Sequence, residues 1–160
     1  SIQEIKDEYK DTEGKPEVKQ RIRQKQREIA MGSMLDAISE ADVIVTNPSH
    51  FAVALSYAVG TDEAPKVVAK GADFMAKKIR ERAEESGVIV FEQPQLARAL
   101  YFTTEINHDI PRALFEAVAE VIAYVFKLNS FSGNGQRAKK PNIKVPSEMS
   151  FDESGKILDE

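Results

Sequence analysis

Asn47-Pro48-Ser49-His50 is the stretch of this chain where residues able to do chemistry adjoin. An asparagine side-chain nitrogen can attack its own backbone carbonyl, closing a five-membered succinimide and expelling the nitrogen of the next residue. In most sequences the following backbone nitrogen attacks the asparagine side chain first, and the outcome is deamidation. Proline has no N–H, so after Asn47 that competing route is closed. Its tertiary amide also has a weaker trans preference and is more readily distorted by a tight turn. Asn47-Pro48 is therefore a dipeptide at which cyclisation breaks the chain. Completion within minutes to hours requires a barrier of about 21–24 kcal/mol. A turn holding Asn47 Nδ2 near its own carbonyl lowers the barrier through orientation. His50 can assist by moving a proton or by bonding to the turn. Ser49 offers a hydroxyl to the turn's backbone or to the leaving nitrogen. The same residues also suit an ordinary structural turn, with His50 a plain surface histidine, and both readings stay open on these grounds.

Two elements must position the motif. Ala41–Thr46 is a β-branched run of strand length, and Phe51–Tyr57 is a second, so the motif joins two strands. Further strands are expected over Lys66–Ala69 and Val88–Phe91. A helix over Ala72–Ser86 carries Phe74, Ile79 and Ala83 and stops at Gly87. A short helix over Gln95–Tyr101 precedes a longer one over Pro111–Leu128, with Leu114, Val118, Val121, Val125 and Leu128 on one side. Strands alternating with helices predict an α/β fold, a small mixed four-stranded sheet flanked by about four helices. The domain reading is residues 1–38 as linker and long basic helix, 39–130 as the α/β body, and 131–160 as a flexible tail. Within the first segment, residues 1–16 read as a loose lead-in broken by Gly14 and Pro16. Within the last, Gly133, Gly135, Pro141 and Pro146 break a polar stretch.

Composition narrows the functions. The chain has 160 residues, 42% of them hydrophobic, enough for one core. No apolar run reaches the roughly 18 residues a membrane helix needs, and no signal-peptide pattern opens the chain. Without cysteine, and with only two histidines, neither a disulfide scaffold nor a metal centre is expected. No glycine-rich phosphate loop is present, so no cofactor is expected. Net charge is −4, with a basic stretch from Lys15 to Arg27 and an acidic one from Glu148 to Glu160. The basic helix reads as a solvated face or as a contact to anionic lipid or a neighbouring protein. A nucleic-acid module is disfavoured by the net charge and by the lack of aromatics among those basic residues. A hydrolase built on Ser49 and His50 is disfavoured because adjacent strand residues point to opposite faces. Arg98 is read as a partner contact or an ion-pair residue, with Glu92 as its possible mate, and His108 as a surface residue before a helix.

A wider pattern surrounds the motif. Ala-Asp-Val-Ile-Val-Thr before it and Phe-Ala-Val-Ala-Leu after it are followed by Ala64-Pro65-Lys66-Val67-Val68-Ala69-Lys70-Gly71. Then come Pro94-Gln95-Leu96-Ala97-Arg98-Ala99-Leu100-Tyr101 and Ala117-Val118-Ala119-Glu120-Val121-Ile122-Ala123. In order and spacing, over about residues 20 to 128, this resembles the FlhB/YscU family of bacterial flagellar and injectisome export-gate proteins, with the flagellar branch the nearer. The resemblance implies the cytoplasmic domain of a protein whose N-terminal membrane domain lies outside this sequence, on the cytoplasmic side of the bacterial inner membrane. It implies self-cleavage between Asn47 and Pro48, supported by Ser49 and His50, with the two fragments staying associated. The event is a single intramolecular turnover, not multiple-turnover catalysis. It also implies a part in switching export from rod and hook to filament proteins. Implied partners are export apparatus proteins, export substrates and a hook-length control protein, with no nucleic acid; an injectisome switch is the alternative. Ser49 departs from the family's usual Thr, which bears on the rate of cleavage more than on its occurrence.

Overall fold

A computed structural model describes residues 2–130 and 139–158, with side chains from residue 15 onward. The chain divides into two compact units, Ser1–Met34 and Leu35–Glu160. Helix α1, Ile2–Ile38, accounts for the described part of the first unit and runs on into the second. It passes through Pro16, so the expected loose lead-in is helical. Several residues around it are Glu, Lys and Gln, strong helix formers that continue the helix past Pro16, although Pro16 removes one N–H from the ladder and crowds the carbonyl four residues before it. From Lys15 to Ser33 every residue is exposed, and Ile38 is fully buried.

The second unit is built on one sheet of five strands in the order β4-β1-β2-β3-β5. These are β1 (Val43–Asn47), β2 (Phe51–Ser56), β3 (Lys66–Ala72), β4 (Val90–Glu92) and β5 (His108–Asp109). β1 pairs antiparallel with β2 and parallel with β4, which makes the sheet mixed as expected. The strand count is corrected from four to five. β5 is two residues long, pairs only with Lys66 and Val67, and lacks any apolar run that would announce it. It also moves His108 from the approach to a helix into the sheet edge, still exposed.

Helices close both faces. On one, Val43, Val45, Val53, Leu55, Val67 and Phe91 pack against helix α3 (Pro94–Thr103) and helix α4 (Phe115–Ser130). The expected stripe of α4 is buried at Val118, Val121 and Val125, with Leu114 in the preceding turn. The other face, which carries Ile44 along with the small residues Ala52, Ala54, Ala69 and Gly71, lies beneath helix α2 (Phe74–Ser86). A Cβ added at Gly71 would collide with the Met75 side chain and lie 3.1 Å from Ile79 Cδ1. Glycine there lets α2 sit directly on β3. Of the expected α2 face, Ile79 and Ala83 are buried, but Phe74 is exposed with Lys78 Nζ 5.3 Å from its ring centre. Gly87 ends the helix in the left-handed conformation at φ 72°.

Residues 139–158 are a correction to the expected flexible tail; 131–138 and 159–160 lie outside the described residues. Ile143 is buried in the core, and Gln93 Nε2 donates to its carbonyl at 3.4 Å. Further on, Phe151 bridges Ile157 around a turn. Its attachments are largely main-chain carbonyls and one or two apolar side chains, which a polar composition does not reveal.

Candidate functional site

The motif occupies a three-residue turn between strands that are almost wholly buried. Asn47 pairs with Phe51, leaving Pro48, Ser49 and His50 to reverse the chain. His50 N–H donates to Asn47 O at 3.0 Å, closing the turn. Proline at the second position fixes φ, and Ser49 at the third has φ 71°, the signature of a type II turn. That third position suits glycine; a residue with a Cβ costs about 1–2 kcal/mol there. Next to the turn, Asp73 N–H donates to His50 O at 2.8 Å, and Asp73 is itself at φ 52°. Two non-glycine residues in the left-handed region thus flank His50 in space.

Asn47 is 6% exposed, and its Nδ2 is buried with no hydrogen-bond partner among the described residues. Strand alternation puts its side chain on the face of Val43 and Val45. Beside it Phe51 stacks with Tyr101 at 4.5 Å and meets Phe102 edge-on at 5.3 Å between ring centres. An unpaired amide donor in so apolar a setting costs about 1–3 kcal/mol. The arrangement therefore holds an amide nitrogen whose N–H groups have no partner among the described residues, on the same residue as a carbonyl that is already accepting a backbone N–H.

The His50 side chain turns elsewhere. Its Nε2 is 3.2 Å from Glu153 Oε1, and its Nδ1 is 4.0 Å from Asp73 Oδ1. The ring is half exposed and has Phe51 6.4 Å away. What His50 gives the Asn47 carbonyl is its backbone N–H. The structure brings all four motif residues into one turn, and it adds Asp73 and Glu153, which sequence reading missed. Neither is near His50 along the chain, and no local pattern marks them. Arg98, read as an ion-pair or partner residue, donates from Nε to Phe151 O at 2.6 Å rather than to Glu92. A separate groove of about 690 Å³, lined by Tyr57, Pro65, Arg112, Phe115, Ile122 and Phe126 among others, includes none of the four.

A covered mixed sheet with an Asn-Pro turn between two central strands is the arrangement expected of the export-gate cytoplasmic domains. The chain belongs to the FlhB HrpN YscU SpaS family, whose model matches residues 1–125. It is 49% identical over 153 residues to the flagellar biosynthetic protein FlhB of Salmonella typhimurium, covering 94% of this chain and 40% of that protein. Against FlhB of Bacillus subtilis it is 50% identical over 127 residues, 79% of this chain and 35% of that one. Among solved structures it is similar to the cytoplasmic domain of FlhB from Shewanella putrefaciens, with a TM-score of 0.69 and 42% identity over 76% of this chain and 95% of that chain. The C-terminal domain of a mutated EscU matches with a TM-score of 0.57 and 35% identity, over 62% and 91%. The chain thus spans about two fifths of the length of the curated flagellar relatives.

Proposed function

We propose that this chain cuts itself between Asn47 and Pro48 and serves, as the cytoplasmic domain of a flagellar export component, in the switch from rod and hook to filament substrates. The observation that carries the reading is the buried, unpartnered Nδ2 of Asn47 beside a carbonyl held by His50 N–H. Nδ2 attacks the carbonyl carbon of Asn47 and forms the new N–C bond of a succinimide. His50 N–H stabilises the charge gathering on the oxygen; one such donor is worth about 10²–10³ in rate in other acyl transfers. The C–N bond to Pro48 then breaks, and the proton lost from Nδ2 ends on the Pro48 nitrogen. No water is consumed, and the site cannot turn over again, so this is a single event rather than enzymic turnover. His50's ring and the Ser49 hydroxyl support the turn.

The flagellar assignment follows the curated relatives, which are flagellar biosynthetic proteins at 44–50% identity. Export apparatus proteins, export substrates and a hook-length control protein are the partners in this reading. Its place is the cytoplasmic side of the inner membrane. The cut moves two new chain ends apart at the surface near Ser49 and His50, and a partner reads that local change. Denaturing electrophoresis tests the chemistry. Pieces of 47 and 113 residues (160 − 47 = 113) are expected from the purified chain, and none from Asn47→Ala. An uncut band after long incubation at neutral pH refutes self-cleavage, and the same two pieces from Asn47→Ala assign the cut to a protease.

A further inference from the structure

We infer that Glu153 is a positioning residue for the self-cleavage, acting through the His50 ring; this rests on the cleavage reading above. The turn is strained at Ser49, and a strained backbone persists only where its surroundings over-determine it. His50 is the residue through which those surroundings act. Its N–H holds Asn47 O, its carbonyl takes Asp73 N–H at 2.8 Å, and its ring lies between Asp73 and Glu153. Of the two carboxylates Glu153 is the nearer, at 3.2 Å against 4.0 Å.

An exposed carboxylate beside a histidine is common, but Glu153 is presented by a loop that is itself built. Asp152 Oδ1 accepts from Ser154 N–H at 2.9 Å, Ser154 Oγ at 2.7 Å and Lys156 N–H at 2.9 Å. Asp152 N–H donates to Lys156 O at 2.8 Å, and Gly155 turns the chain at φ 88°. That loop is then fastened to α3 at two points. Arg98 Nε donates to Phe151 O at 2.6 Å, and the Phe102 ring lies 5.8 Å from Phe151. A Cβ on Gly155 would stand 2.9 Å from Phe102 Cε1, so glycine is what lets the loop lie against that ring. Phe102 in turn touches Phe51, the first residue after the turn. The C-terminal segment therefore reaches the cleavage turn by a side-chain clamp at His50 and an aromatic path through Phe102, and both hold the turn that carries Asn47 and Pro48.

The test is the rate at which freshly translated 160-residue chain becomes two pieces, followed by pulse-chase on denaturing gels. Glu153→Gln keeps the size and an acceptor oxygen but loses the charge; Glu153→Ala loses both. From the usual worth of an exposed pair, cutting should slow about two- to five-fold in Glu153→Ala and less in Glu153→Gln. The slowing should vanish when His50 is already Ala, because the effect runs through that ring. An unchanged or faster rate in Glu153→Ala overturns the inference. Equal slowing with and without His50 also overturns it, since that marks a general loosening of the C-terminal segment. If His50→Ala stops cutting, the ring-nitrogen NMR shifts of His50 in uncut Asn47→Ala protein decide. They should move on adding Glu153→Ala, and unmoved shifts refute the contact. Failure of the unaltered chain to cut is a different outcome, which defeats the cleavage reading itself.

Discussion

After the proposed cut, withdrawing the N-terminal piece means pulling an interior strand, β1, out of the sheet. β1 has five residue pairs with β2 on one side and three with β4 on the other. Ile38, Val43, Ile44 and Val45, all on that piece, are fully buried. At about 1.5–3 kcal/mol each, their burial alone represents about 6–12 kcal/mol that separation must give up. The two pieces should therefore co-elute on gel filtration at micromolar concentration without denaturant. Ile44→Ala supplies the perturbation: it leaves Asn47 and Pro48 in place and removes a core side chain on the α2 face. A loss of about 2–5 kcal/mol translates into association weaker by about thirty- to several-thousand-fold. Gel filtration through a urea series, with fractions resolved on denaturing gels, should show the variant's pieces parting at clearly lower urea than the parent's. Separation of the parent pieces in buffer alone would refute the reasoning, as would an unchanged urea threshold in Ile44→Ala.

Three further outcomes follow from particular residues. Gly71→Ala forces a methyl into Met75 and should cost about 1–3 kcal/mol, lowering the thermal midpoint by several degrees; an unchanged melt would mean α2 does not bear on β3 as described. Ser49→Gly removes the left-handed penalty of about 1–2 kcal/mol but adds about 0.5–1 kcal/mol of chain entropy. In the uncut Asn47→Ala background it should be neutral to mildly stabilising by chemical denaturation, whereas clear destabilisation would contradict φ 71° at that position. Asp152 is held below the usual carboxylate range, first by the Ser154 hydroxyl and then by Lys156 N–H. Because the folded loop favours the carboxylate, its contribution is present above the ordinary carboxylate pKa and is lost as pH falls through the lowered value. The amide resonances of Ser154 and Lys156 should accordingly hold steady from roughly pH 7 to 5 and shift only in stronger acid. Movement of both within that neutral range would show that Asp152 does not cap the loop.

The strands about the motif were legible because Val43–Val45 and Phe51–Leu55 are β-branched or apolar runs, and burial on both faces is what such runs signify. Gly87 was legible as a stop for the same reason it works, its access to positive φ. β5 was not, since two exposed residues held by main-chain bonds to Lys66 and Val67 leave no pattern in side chains. The packed C-terminal segment was hidden similarly: Arg98 and Gln93 reach carbonyls there, and every residue has a carbonyl. At the site itself, the sequence pointed to the four motif residues. It could not show that Asn47 Nδ2 is unpartnered among the described residues or that the His50 ring faces two carboxylates, one from the residue just before α2 and one from the C-terminal loop. Those are properties of the assembled surface.

The place of β1 between β4 and β2 has a mechanical side. Chain continuity runs from α1 through Ser39–Asp42 directly into this strand, so tension on α1 is delivered along the strand's length. The antiparallel bonds to β2 lie across that direction, and a pull along β1 loads them together instead of one after another. With the Asn47–Pro48 bond removed by the proposed cut, nothing covalent would share the load. The nicked particle should nonetheless behave under force as a joint stressed in shear, able to carry tension between whatever is attached to α1 and the remainder of the domain.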